Sequence, residues 1–264
     1  MKDDPQPGLA PVDIPSQRGK VSNEEWQLRI DLAAAYRLVA HYRMDDLIYN
    51  HISVRVPGPK EQFLINAYGL AYEEITASSL IKIDLEGNTV GGSEGGYEVN
   101  RAGFVIHSAI HAARSDVGCV IHTHTPAGMA VSALACGLLP IAQTSMFFGG
   151  VAMHGYEGVA VGLDEQARLV RDLGMHTGMI LRNHGLLTVG PTISEAFVAM
   201  YWLERACQAQ TMAMACNTPL QLPPDDVVRL TNLLYQPQTR RRFGPLEWPA
   251  LLRMMERRDP SFMT

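Results

Sequence analysis

Two short apolar runs each end in histidine: Cys119-Val120-Ile121-His122-Thr123-His124-Thr125 and Ile180-Leu181-Arg182-Asn183-His184-Gly185. Runs rich in Val and Ile and stopped by Pro or Gly read as buried strands. Side chains two apart on a strand share a face, so His122 and His124 are expected to point the same way. A third imidazole from the end of another strand, His184, would complete a tripod. Three neutral histidines with a fourth position left to water or substrate form a catalytic metal site, not a closed structural one. Spacing alone leaves other readings open, because a His-x-His pair also occurs as buried or surface residues and Asn183-His184-Gly185 also suits a plain turn.

His107 and His111 stand four apart, a spacing that can chelate a metal from one helix face. The glutamate of a His-Glu-x-x-His motif is absent, since Ser108 occupies its place. These two are therefore read as packing or supporting histidines, with His107 the better placed to face the site.

The elements that must carry these residues follow from local pattern. Ser22 to Glu25 has the form of a capping box, and Trp26, Ile30, Ala33, Ala34 and Leu38 recur at helical spacing behind it, to about Tyr42. Strands are expected at 50–56 and 62–66 around a turn with Pro57, Gly58 and Pro59, and at 80–84. A helical turn is expected at 75–79, and Gly91 to Gly96 reads as a flexible connection. Asn100 can cap a helix to about Arg114, which leads into strand 118–124 and a helix from Pro126 to about Ala135. Further strand pieces are expected at 138–141 and 149–151. A helix at 163–173 ends before Gly174, strands follow at 178–183 and 186–190, and Thr192 to Glu195 opens a long helix through Ala215. Beyond the proline-rich break at 219–224, residues 227–235 and 246–257 read as peripheral helices. The expected organisation is a mobile arm over residues 1–21 and one α/β domain over 22–264, its outlying C-terminal helices beginning near 225.

Hydrophobic residues at 47% and charged residues at 19% describe an ordinary globular protein. The net charge of −5 argues against a nucleic-acid partner, which needs a concentrated basic face. No run approaches the ~20 apolar residues of a membrane span. Cys119, Cys136, Cys207 and Cys216 are widely spaced, which suits buried thiols in a reducing compartment. With no apolar leader in the first twenty residues, the expectation is a cytoplasmic protein. Cys119, three before His122, should lie on the opposite strand face.

The stretch from Asn100 to Asp116 (NRAGFVIHSAIHAARSD), together with His122-Thr-His124-Thr-Pro, Leu181-Arg-Asn-His-Gly and Leu203-Glu-Arg-Ala-Cys-Gln, resembles the class II aldolase/adducin family over roughly residues 24–215. The resemblance implies an αβα sandwich around a mostly antiparallel central sheet. It implies zinc on His122, His124 and His184, with manganese or iron as alternatives, and a homotetramer acting on a small-molecule substrate. The catalytic glutamate of the sugar-phosphate aldolases falls on Gly103, and their paired phosphate-binding serines fall on Arg101 and Ala102. Their first phosphate loop falls on Asn50 and His51. The chain thus resembles the adducin-head-like branch that lacks the carboxylate.

Glycine has no proton to exchange, so acid–base work must come from elsewhere. His51, His107 and Tyr68 are the candidate catalytic residues, and Arg101, Asn50 and Gly69 the candidate substrate-binding residues. Loss of CO2 needs an electron sink and a later proton donor but no base, which favours a decarboxylase over ordinary retro-aldol cleavage. Arg101 offers a planar fork for a substrate carboxylate. Two other classes fit the same residues: an adducin-like interaction module, and a three-histidine iron oxygenase.

Overall fold

The computed structural model describes residues 14–58, 60–91, 97–158 and 165–264. Among the described residues, eight α-helices and seven strands follow one another in the order α1 (Asn23–His41), β1 (His51–Arg55), β2 (Gln62–Ile65), β3 (Ile81–Asp84), α2 (Arg101–Ala113), β4 (Cys119–Thr123), α3 (Pro126–Ser132), α4 (Gln143–Met146), β5 (Ala152–His154), α5 (Gln166–Leu173), β6 (Gly178–Leu181), β7 (Gly185–Gly190), α6 (Ile193–Ala215), α7 (Asp225–Tyr235) and α8 (Trp248–Arg258). The strands form one sheet in the order β3-β2-β1-β4-β7-β6-β5. Every neighbouring pair is antiparallel except β5 with β6.

Period-two alternation splits the core into two layers. Cys119 and Ile121 of β4, Ile180 of β6 and Leu186 of β7 pack with α1 and α6 on one face. Val120, Met179, Leu187 and Val189 pack with Ile106 and Ile110 of α2 and Leu169 and Leu173 of α5 on the other. This is the expected sandwich, and Cys119 lies opposite His122 as its spacing requires. Burial pushes the Cys119 thiol up, so it stays protonated core.

Hydroxyl caps set the starts of α1 and α6. Ser22 Oγ accepts from Glu25 N–H and Thr192 Oγ1 from Glu195 N–H. Glu25 does not reach back to complete the box: its carboxylate turns inward to Arg29 and Lys82, at 3.0 and 2.8 Å. Of the expected arm, residues 14–21 lie against the domain, with Gln17 N–H bonded to Ser78 Oγ; residues 1–13 fall outside the described ones, as do 92–96 of the glycine connection. The expected strand at 138–141 is not one, and α4 follows it instead. The expected helical turn at 75–79 is a non-helical turn, preceded by a 3-10 turn at Tyr72–Glu74. Among the described residues no helix is long and apolar enough to cross a membrane.

Candidate metal centre

His122 is the fourth residue of β4 and faces the α2 layer, buried. His124 follows the end of that strand, immediately before Thr125, whose hydroxyl caps α3 by accepting from Gly128 N–H. The Thr125 hydroxyl in turn donates to the buried carboxylate of Glu204 on α6, which fixes the path by which the chain leaves β4. His184 stands in the tight turn between β6 and β7. Asn183 there adopts φ +53°, a left-handed conformation that asparagine tolerates. Gly185 is required by close approach, since a Cβ on it would meet the Thr123 carbonyl oxygen at 2.3 Å.

These placements bring three imidazoles together. Nε2 of His124 lies 2.8 Å from Nε2 of His122 and 2.9 Å from Nε2 of His184. The ligand atoms of all three lie within 4.8 Å of one another. Nδ1 of His122 donates to the Leu186 carbonyl (2.9 Å), and Nδ1 of His124 faces the Asp46 carboxylate (3.1 Å). Because their outward nitrogens donate to these oxygens, His122 and His124 can turn the lone pair of the other ring nitrogen inward. Burial, then the neighbouring histidines, hold His122 well below the usual imidazole range; the same two causes bring His184 down to about 4. Convergent ring nitrogens at this spacing suit a shared cation.

A cleft of about 490 Å³ opens over these rings, a size that admits a small molecule. Its lining includes Asp46, Tyr49, His51, Tyr68, Asn100 and Tyr156 besides the three histidines. His51, first residue of β1, pairs in register with His122, and their ring centroids stand 4.9 Å apart. Tyr68 is exposed at the mouth. His107 is fully buried behind His51 and does not line the cleft; its Nε2 lies 2.8 Å from His51 Nδ1. Arg101 is exposed at the start of α2, outside the lining. Asn50 is buried, and neither end of its amide has a partner among the described residues. Gly69 is exposed, with φ +112°. Gly103 packs directly on His51: a Cβ added to it would stand 2.7 Å from Cδ2 of that ring.

Asp46 was not legible in the sequence, because it sits in an irregular loop that meets His124 only in the folded chain. Asp46→Ala is expected to weaken metal affinity by about 10–100-fold, the usual cost of losing a ligand's supporting partner. A chelator competition titration measures it, and unchanged affinity would remove Asp46 from the site.

The fold and cluster together define an α/β protein with a three-histidine centre at one end of its sheet. Residues 30–211 match the Class II Aldolase and Adducin N-terminal domain, and the chain belongs to that family. An aldolase II superfamily protein from Pseudomonas syringae has the same fold at a TM-score of 0.88 and 49% identity, over 95% of this chain and 100% of that one. An L-fuculose 1-phosphate aldolase from Glaciozyma antarctica superposes at a TM-score of 0.80 with 34% identity, covering 90% and 91% of the two chains. Alpha-adducin of Rattus norvegicus is 42% identical over 245 residues, which are 87% of this chain but 33% of adducin.

Proposed function

We propose that His122, His124 and His184 hold one divalent cation, zinc in the first instance, and that the protein is a metal-dependent carbon–carbon lyase. Its substrate is a small carboxylated hydroxy or keto compound, cleaved by decarboxylation or by an aldolase-like route. The observation that carries this reading is the inward convergence of three Nε2 atoms beneath an open cleft. Family membership and the likeness to an L-fuculose 1-phosphate aldolase support it.

The cation would supply Lewis-acid stabilisation of the enolate left when the bond breaks. The chain's own residues do the rest. His51 faces the reacting group at the cleft wall and handles its proton, Tyr68 offers a phenol at the mouth, and the apolar flank formed by Ile106 and Met129 limits water. His107 orients His51 from behind. Assembly as a cytoplasmic homotetramer belongs to the same proposal.

The likeness to alpha-adducin favours a second reading, an interaction module without chemistry. Metal analysis of protein purified without added metal, joined to assays on hydroxy-keto acids, separates them. About one zinc or manganese per chain with CO2 or carbonyl product is expected. Protein with neither metal nor product would favour the interaction module, and iron with O2 uptake would favour an oxygenase.

A further inference from the structure

A helix on a protein surface normally turns its apolar stripe to the core and its polar side chains to water. Helix α7 keeps its stripe outside. None of its residues is buried, and Val227, Leu230, Leu233 and Leu234 are 44%, 55%, 55% and 49% exposed. At 3.6 residues per turn these four fall within an arc of about 120°, a contiguous apolar row along the helix. The half-buried side is formed by Val228, Thr231, Asn232 and Tyr235.

Specific contacts fix that orientation. The Asn232 amide donates to the Phe147 carbonyl (2.7 Å) and packs on Gly149, where a Cβ would stand 2.7 Å from it. The Tyr235 ring stands 5.7 Å from that of Phe147 and 5.6 Å from that of Trp202 on α6. Rolling the helix to bury its leucines would break these contacts. A helix of 11 residues is also too short to persist on its own hydrogen bonds and depends on packing of its apolar face.

Charge narrows the choice of partner. Asp225 and Asp226 open the helix and Arg240 follows its end, and none of the three makes an ion pair among the described residues. An antiparallel pair of α7 helices sets the acidic start of each beside the basic end of the other, whereas a parallel pair stacks like on like. A lipid surface does not fit, because a helix that lies on one carries Lys and Arg along its polar face. Here two aspartates open the helix, in a chain of net charge −5. The area agrees with a second copy. Half exposed, the four side chains offer roughly 350 Å², the size at which a surface patch is commonly a contact site. Two copies would cover roughly 700 Å² of apolar surface, which at an interface's usual apolar share belongs to about 1,200 Å² in all, the lower bound of a stable contact.

We infer that α7 pairs antiparallel with α7 of a second copy of this chain, about a two-fold axis near Leu230, so that each leucine row covers the other. The contact lies outside residues 30–211, the part of the chain that matches the family. It goes beyond the lyase reading and does not depend on it.

Sedimentation of the wild type and of Leu230→Glu at micromolar concentration tests the pairing. Leu230 is more than half exposed, so the variant should fold, which circular dichroism checks. Two carboxylates brought together at the axis should leave a species of half the wild-type mass. Crosslinking tests the direction, in a chain whose exposed Cys136 and Cys216 are replaced by serine. Leu230→Cys should give a disulfide-linked dimer on mild oxidation. Val227→Cys should not, since in the antiparallel pair its two copies stand about 9 Å apart along the axis, beyond disulfide reach. A wild type that sediments as a monomer overturns the inference, as does a folded Leu230→Glu protein of unchanged mass. Crosslinking through Val227 as readily as through Leu230 overturns it too, by setting the helices parallel.

Discussion

His122→Ala is expected to abolish tight metal binding while the protein remains folded. The loss should exceed the 10–100-fold that removal of a supporting partner costs, because a ligand itself has gone. The stability cost is expected to be about 2–4 kcal/mol, since the ring is buried against His51 and its removal leaves a cavity. Zinc content by mass spectrometry, with a urea unfolding curve on the same sample, measures both. His154→Ala is the matching control. His154 is equally buried, but its nitrogens go to Asp172 (2.8 Å) and Glu165 (3.3 Å), so its loss should leave the metal in place. Stoichiometric zinc in the His122 variant would sink the ligand assignment.

The centre was legible because its parts follow rules of short range. Alternation along β4 places His122 away from Cys119, and Asn183-His184-Gly185 is a turn whose residue types match its geometry, with a left-handed Asn183 and a close-packed Gly185. The order of apolar runs and caps indicates one domain of mixed strands with helices around them, and the sandwich with its mostly antiparallel sheet is what the family resemblance adds. What failed was decided by groups far apart in sequence. Leu138 to Ile141 is apolar enough for a strand, yet Leu139 N–H goes to a buried side chain, Gln210 of α6, which also donates to the Gly137 carbonyl, and Ile141 N–H turns back to the Leu139 carbonyl. Glu25 had the spacing of a capping box, but Arg29 and Lys82 offered it stronger, charged partners. Asp46 meets His124 only when its loop is folded against the end of β4. No spacing along the chain encodes that.

Gly103, where the family resemblance places the catalytic glutamate of the sugar-phosphate aldolases, poses a packing problem with a measurable sign. A Cβ there would lie 2.7 Å from Cδ2 and 2.8 Å from Cγ of His51. The ring has little room to retreat, with His107 bonded to it at 2.8 Å and the His122 ring 4.9 Å away. Alanine at a helical glycine ordinarily gains about 1 kcal/mol. Here overpacking, about 1–3 kcal/mol, is expected to cancel or outweigh that gain, so Gly103→Ala should leave stability unchanged or lower it by up to about 2 kcal/mol. In a His51→Ala background the obstacle is gone, and the same substitution should stabilise by up to about 1 kcal/mol. Urea unfolding of the four proteins in a double-mutant cycle gives the coupling, expected at about 1–3 kcal/mol. It follows that Gly103→Glu alone cannot place a working carboxylate in the cleft, because the imidazole of His51 already fills that space. Only with His51 reduced to alanine or glycine is there room for one. Additive effects of the two substitutions would show that glycine at 103 and histidine at 51 are independent.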